Sequence, residues 1–182
     1  MISVPNFISL GRLLCVPLTV WLILIGEMAL AFWVFVGAGV SDAVDGFIAK
    51  RFNARTELGR YIDPLADKAL LMSVYVTLGS RGDVANWLVI LVVFRDLMII
   101  GGTLLYHTLT DQPMRMEPLM VSKLNTLLQI ALVVLVLGRL GLGIDDAGVT
   151  LPLTYVVAFT TFVSGAAYLV RWVRGISGVG EA

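Results

Sequence analysis

Charge is what this sequence has little of. Asp, Glu, Lys and Arg make up 14% of its 182 residues, where an ordinary soluble domain carries about 25%. With 58% hydrophobic residues and a mean hydropathy of +0.92, that scarcity excludes a water-soluble body of this length. Too few polar side chains are present to cover its surface, so the solvent is lipid. The formal net charge is zero, which leaves no bulk attraction to nucleic acid. Cysteine is nearly missing. Cys15 stands alone in an apolar run, so an internal disulfide is excluded and a buried, inert thiol is expected. A basic leader and a small-residue cleavage site are also missing before the first apolar run, which is read as retained. Low-complexity segments and internal repeats are absent. One domain, 1–182, is expected from the length.

What is present is a series of charge-free runs: 13–26, 28–41, 69–80, 84–94, 97–110, 124–138 and 147–170. A helix crossing the hydrocarbon core needs about 20 mostly apolar residues. Only the last run reaches that length alone; the others span only by taking in polar or charged residues, which are costly at membrane depth and usually functional. The expected spans are 6–26, 28–51, 61–80, 84–107, 120–138 and 150–173. Gly26-Glu27 and Ser80-Arg81-Gly82-Asp83 make the first and second hairpins. Asp111-Gln112-Pro113 with Pro118 makes the next break, and 138–148 with Asp145-Asp146 makes the last. Backbone groups in lipid must be satisfied internally, and the alternating polarity of a barrel is absent. The expected fold class is therefore an all-α integral membrane protein with six transmembrane helices. With the N-terminus inside, the inner side collects Arg12, Lys50, Arg51, Arg55, Arg60, Arg115, Lys123, Arg171 and Arg174. The outer side collects Arg81 and Arg139. That bias puts both termini and 52–60 on the cytoplasmic or matrix side. Trp21, Trp33, Trp87 and Trp172 are expected as lipid-facing or interfacial anchors, and His107 at an interface. Gly37, Gly39 and the pair Gly101-Gly102 are expected at close helix contacts.

The acids stand out in 41–68, SDAVDGFIAKRFNARTELGRYIDPLADK. Asp42 and Asp45 are neighbours on one helix face, with Gly46 and Ala49 leaving backbone room beside them. Gly59, Asp63 and Asp67 are spaced by four, again on one face, and Pro64 follows soon after a loop. Carboxylates brought together repel each other and stay ionised only around positive charge. Oxygen-only ligands suit hard cations such as magnesium, manganese or calcium. Four carboxylates can hold two such ions, and a two-metal clamp stabilises attacking and leaving oxygens at phosphorus. The bland alternative is a pair of solvated helix ends, but Gly46, Ala49 and Gly59 are poor choices for a plain exposed face. The spacing does not fit an EF-hand loop.

Asp42-x-x-Asp45-Gly46-x-x-Ala49-Lys50, then eight residues, then Gly59-x-x-x-Asp63-x-x-x-Asp67 resembles the signature of the CDP-alcohol phosphatidyltransferases. The family usually has Arg where this chain has Lys50, with Arg51 next, and Lys loses the bidentate fork. The resemblance implies a six-helix homodimer with a cytoplasm-facing site that cuts a CDP-activated lipid. It implies Asp42, Asp45, Asp63 and Asp67 as ligands of Mg2+ or Mn2+, two ions by the carboxylate count, and Asp67 as the base for the acceptor hydroxyl. It implies Gly46, Ala49, Lys50, Arg51, Thr56 and Gly59 around the nucleotide and diphosphate of CDP-diacylglycerol. Pro5-Asn6-x-x-Ser9-x-x-Arg12 looks like the entry segment of the phosphatidylglycerophosphate synthase and cardiolipin synthase branch, with Asn6 at the nucleotide or simply capping a helix. Arg95-Asp96 and Ser122-Lys123-Leu124-Asn125-Thr126 look like cardiolipin synthases. A bacterial or mitochondrial inner membrane is the implied location.

The acceptor is read from charge. Glycerol 3-phosphate is a dianionic monoester and wants several cations, whereas phosphatidylglycerol is a monoanionic diester. Phosphatidylglycerophosphate synthases tend to have two lysines where this chain has Lys123 and Asn125, so charge matching favours phosphatidylglycerol. Arg95, Lys123 and Asn125 are the expected acceptor residues. Arg95 and Asp96 are adjacent on a helix and are not expected to face each other. Arg95 then either reaches an acceptor phosphate or pairs with an acid of another helix. Lys123 either meets the acceptor or snorkels to head groups. Two rival classes are a divalent-cation transporter, which needs acids near the midplane, and a non-catalytic scaffold, which leaves four aligned acids unexplained.

Overall fold

The computed structural model describes the backbone over residues 4–52, 57–110 and 119–179. It describes side chains at 11 and over 13–41, 68–102 and 119–172. The described chain is all-helical: α1 (Val4–Leu24), α2 (Met28–Phe52), α3 (Glu57–Ser80), α4 (Asn86–Thr110), α5 (Met120–Leu142) and α6 (Thr150–Val179). Each expected span has its helix. Among the described residues two helical stretches, Met120–Leu142 and Thr150–Trp172, are long and apolar enough to cross a membrane.

The first two hairpins end their helices in the same way. At the end of α1, Glu27 N–H donates to Leu22 C=O and Gly26 N–H to Ile23 C=O. At the end of α3, Asp83 N–H donates to Leu78 C=O and Gly82 N–H to Gly79 C=O. This crossed pair of bonds satisfies the last helical carbonyls and needs a left-handed residue. Glycine supplies it at φ 87° for Gly26 and φ 80° for Gly82, where a Cβ would be strained.

The chain forms two compact units. In the unit of 1–84 and 133–147, α1 packs against both α2 and α3. Ala31, Phe35 and Ala38 make the buried stripe of α2, and Leu70, Leu71, Val74 and Leu78 that of α3. Trp21 and Trp33 lie outward, 57% and 61% exposed, as lipid-facing anchors would. In the unit of 85–132 and 148–182, α4 packs on α6. Here Ile90, Phe94 and Leu97 face outward on α4, and Leu151, Tyr155, Phe159 and Phe162 on α6. Their spacing of three or four defines one outward stripe per helix.

The glycines correct the sequence reading. α5 does not stop at Gly138 but runs to Leu142. A Cβ on Gly141 would stand 2.5 Å from the backbone of Met28 and Ala29, and one on Gly138 would stand 3.5 Å from the Phe32 ring. These two glycines serve helix packing, not a turn; the chain turns at Gly143 and Gly148, both at positive φ. Gly37, Gly39 and Gly101, expected at close contacts, have no such neighbour within 4 Å among the described residues. Gly102 does: the Trp172 indole lies directly against it. Cys15 is half-buried, not fully enclosed. The side chain of His107 lies outside the described residues.

Candidate active site

The acids ride on two consecutive helices of the first unit. Asp42 and Asp45 lie in α2, Asp63 and Asp67 in α3, and four residues separate the helices. At a rise of about 1.5 Å per residue, Asp42 lies about 15 Å before the end of α2, and Asp67 about 15 Å after the start of α3. Asp45 and Asp63 lie about 10 Å and about 9 Å from the same ends. The four therefore fall at two matched heights along their helices. Their side chains lie outside the described residues, as do those of Asn6, Gly46, Ala49, Lys50, Arg51 and Gly59. Thr56 lies outside the described backbone as well. Among the described residues no cluster of three or more metal-ligating side chains occurs.

The expected acceptor residues fall in the second unit. Arg95 and Asp96, on α4, are 2% and 1% exposed. Contrary to expectation they pair with each other, Arg95 Nη1 donating to Asp96 Oδ1 at 2.6 Å. The Cβ atoms of adjacent helical residues diverge, but the arginine stem is long enough to bring its guanidinium back. Arg95 Nη2 also donates to Ser122 Oγ of α5 at 2.6 Å and to Ser164 Oγ of α6. The guanidinium carbon lies 6.0 Å from the Tyr168 ring centroid. One guanidinium thus joins three helices.

Below it on α5 and α6 runs a polar seam. Asn125 Oδ1 accepts from Thr160 Oγ1 at 2.8 Å and from Thr161 Oγ1 at 2.9 Å. Gln129 Nε2 reaches Thr161 Oγ1 at 3.5 Å. Asn125, Gln129, Thr161 and Ser164 are all fully buried. Arg95 Nε and Asn125 Nδ2 are buried without a hydrogen-bond partner among the described residues. Lys123, by contrast, is exposed. Positions 123 and 125 are about 200° apart around α5, so the expected trio divides: Arg95 and Asn125 inward, Lys123 outward.

The seam was missed in sequence, although it has a signal. Ser122, Asn125 and Gln129 on α5, and Thr161, Ser164 and Tyr168 on α6, share the spacing i, i+3, i+7. That places one polar stripe on each of two otherwise apolar helices. Uncharged polar residues do not interrupt a charge-free run, so the stripes vanish when only charge is counted. Farther along α4 and α6, Met98, Ile99, Tyr168, Leu169 and Trp172 line a shallow apolar groove.

These features describe a class: helical membrane proteins with acids on one consecutive helix pair and a hydrogen-bonded polar interface elsewhere. The family is more definite. The chain matches the CDP-alcohol phosphatidyltransferase family over residues 2–173 and belongs to it. It is 33% identical to the human cardiolipin synthase (CMP-forming) over 91% of this chain and 60% of that protein. It is 30% identical to the rice chloroplastic CDP-diacylglycerol–glycerol-3-phosphate 3-phosphatidyltransferase 1, over 94% of this chain. It is also 30% identical to the Rickettsia typhi CDP-diacylglycerol–glycerol-3-phosphate 3-phosphatidyltransferase, over 91% of this chain and 94% of that protein. The chain spans 57% of the rice relative's length. The family consists of membrane-associated transferases, and a cation-transporter reading finds no support in it.

Proposed function

We propose that this chain is a membrane phosphatidyltransferase that moves the phosphatidyl group of CDP-diacylglycerol to an alcohol and releases CMP. The observation that carries the reading is the family's acid motif on α2 and α3, its four positions falling at two matched heights along the helices. Antiparallel packing of two such helices would set Asp42 beside Asp67 and Asp45 beside Asp63. An all-carboxylate donor set fits a hard divalent ion, since four carboxylates at close quarters need positive charge among them. Asp42, Asp45, Asp63 and Asp67 would hold Mg2+ or Mn2+, two ions by the number of ligands. When bound, the ions neutralise the diphosphate and the charge that develops at phosphorus.

The chain's own residues do the rest. Gly46, Ala49 and Gly59 leave room for the nucleotide and diphosphate, with Asn6, Lys50, Arg51 and Thr56 as polar partners. Asp67 takes the proton of the acceptor hydroxyl as its oxygen attacks the phosphorus that bears the lipid. A bond from that oxygen to phosphorus forms, the bond from phosphorus to the CMP oxygen breaks, and CMP departs. Catalysis consists of positioning and charge neutralisation.

For the acceptor we infer phosphatidylglycerol, giving cardiolipin, with glycerol 3-phosphate as the second reading. Relatives of both kinds are about equally similar, so the support is local. Lys123 is exposed, whereas Asn125 is engaged with two threonines of α6 and Arg95 is already matched by Asp96. Among the described residues of the expected acceptor trio, Lys123 is the one exposed cation, and a single cation suits a monoanionic diester better than a dianionic monoester. Six spans, a single domain, a homodimer and a cytoplasmic or matrix-facing site complete the proposal. The test is direct. Purified protein is given CDP-diacylglycerol and magnesium with either acceptor, and CMP and the lipid product are measured by mass. Cardiolipin with CMP is the expected result. Phosphatidylglycerophosphate alone would move the reading to the second acceptor, and CMP release with neither would reject the transferase.

A further inference from the structure

We propose that Arg95 is a positioning residue: through Ser122 it fixes the first turn of α5, and so sets where the adjacent Lys123 ammonium meets the acceptor phosphate. This rests on the phosphatidyltransferase reading and on Lys123 as the acceptor cation.

Arg95 is poorly suited to hold the acceptor itself. It is 2% exposed, and Asp96 Oδ1 sits 2.6 Å from its Nη1. A guanidinium already neutralised by a buried carboxylate presents little net charge to a second anion. Its hydrogen bonds point elsewhere. Nη2 ends on Ser122 of α5 and Ser164 of α6, and the rigid fork of a guanidinium fixes those directions relative to Asp96.

Ser122 is the residue through which this matters. α5 begins at Met120, so Ser122 and Lys123 lie in its first turn, where backbone groups lack intrahelical partners and fraying is easiest. Both backbone N–H groups bond back to Leu119 C=O, at 2.9 and 3.2 Å. The Ser122 side chain is tied down by Arg95 at 2.6 Å. Lys123 follows it in the chain, exposed and on a flexible stem. A cation on such a stem is aimed by its backbone, and small misplacement of a substrate-holding group is expensive in rate.

The test is a double-mutant cycle on acceptor KM, run with phosphatidylglycerol and with glycerol 3-phosphate. Ser122→Ala and Lys123→Met are each expected to raise acceptor KM about tenfold, with kcat and the KM for CDP-diacylglycerol within about twofold. In the double variant the Ser122 change is expected to add nothing, because both act through one contact. Ser122→Thr, which keeps the hydroxyl, restores the acceptor KM. A second pair guards against misfolding. Arg95→Met takes from the buried Asp96 its 2.6 Å cationic partner and lowers the thermal midpoint; Arg95→Met with Asp96→Leu recovers it but keeps the acceptor KM of Ser122→Ala. Multiplying effects of Ser122→Ala and Lys123→Met in an active enzyme would overturn the inference while leaving the phosphatidyltransferase reading intact. So would a doubly substituted Arg95–Asp96 protein that folds yet loses far more than Ser122→Ala. No CMP release from the unsubstituted protein would remove both.

Discussion

A carboxylate and a carboxamide have the same shape, so Asp67→Asn isolates charge and basicity. The amide cannot take the acceptor proton and binds a hard cation weakly. Turnover is expected to fall by about 100-fold or more, while binding of the CDP-lipid, measured by competition with a labelled nucleotide, largely survives. Retained turnover would remove Asp67 from the base role. Arg95 makes the complementary point at this scale. Residue spacing alone set Arg95 and Asp96 apart, yet their side chains meet at 2.6 Å. Cβ directions decide contacts between short side chains; a four-atom stem ending in a planar fork can return to its own neighbour.

Between helices, close approach decides what a glycine is for. Gly141 sits where a Cβ would be 2.5 Å from the Ala29 backbone nitrogen, and backbone cannot swing aside as a flexible side chain can. Gly141→Val is expected to destabilise the folded state by about 1–3 kcal/mol, read as a lower midpoint of thermal unfolding in detergent. Gly37→Val, with nothing within 4 Å among the described residues, serves as the comparison and should leave the midpoint near its starting value. Lipid-covered helices gain little from hydrophobic burial against one another, because acyl chains are as apolar as leucine. Contacts such as Gly141 on α2 and the Asn125–Thr160–Thr161 bonds between α5 and α6 therefore carry much of the association.

For the molecule as a whole, the basic residues set a direction. Nine cations against two give the inside-facing termini proposed above. With Cys15 replaced by Ser, single cysteines at Arg81 and at Arg171 are expected to react with an impermeant maleimide from opposite sides of sealed vesicles. Reaction of both from one side would overturn the arrangement of spans and the sidedness of the site.

The helices and most of their ends were legible in the sequence because their causes are local. Apolar length, Gly26 and Gly82 in left-handed turns, and Asp42 to Asp67 at helical spacing all depend on residues near one another in the chain. The acid motif was legible for the same reason, and it pointed to the family that the comparison then confirmed. The end of α5, the use of Gly102, Gly138 and Gly141, and the pairing of Arg95 were settled by other helices. Helix geometry alone puts Lys123 and Asn125 on different faces, and packing decided that Asn125 is the buried one. Which face of a helix meets a neighbour depends on residues far away in the chain, such as Ala29 for Gly141 and Ser164 for Arg95. Periodicity shows that a face exists, and only the packed chain shows what lies against it.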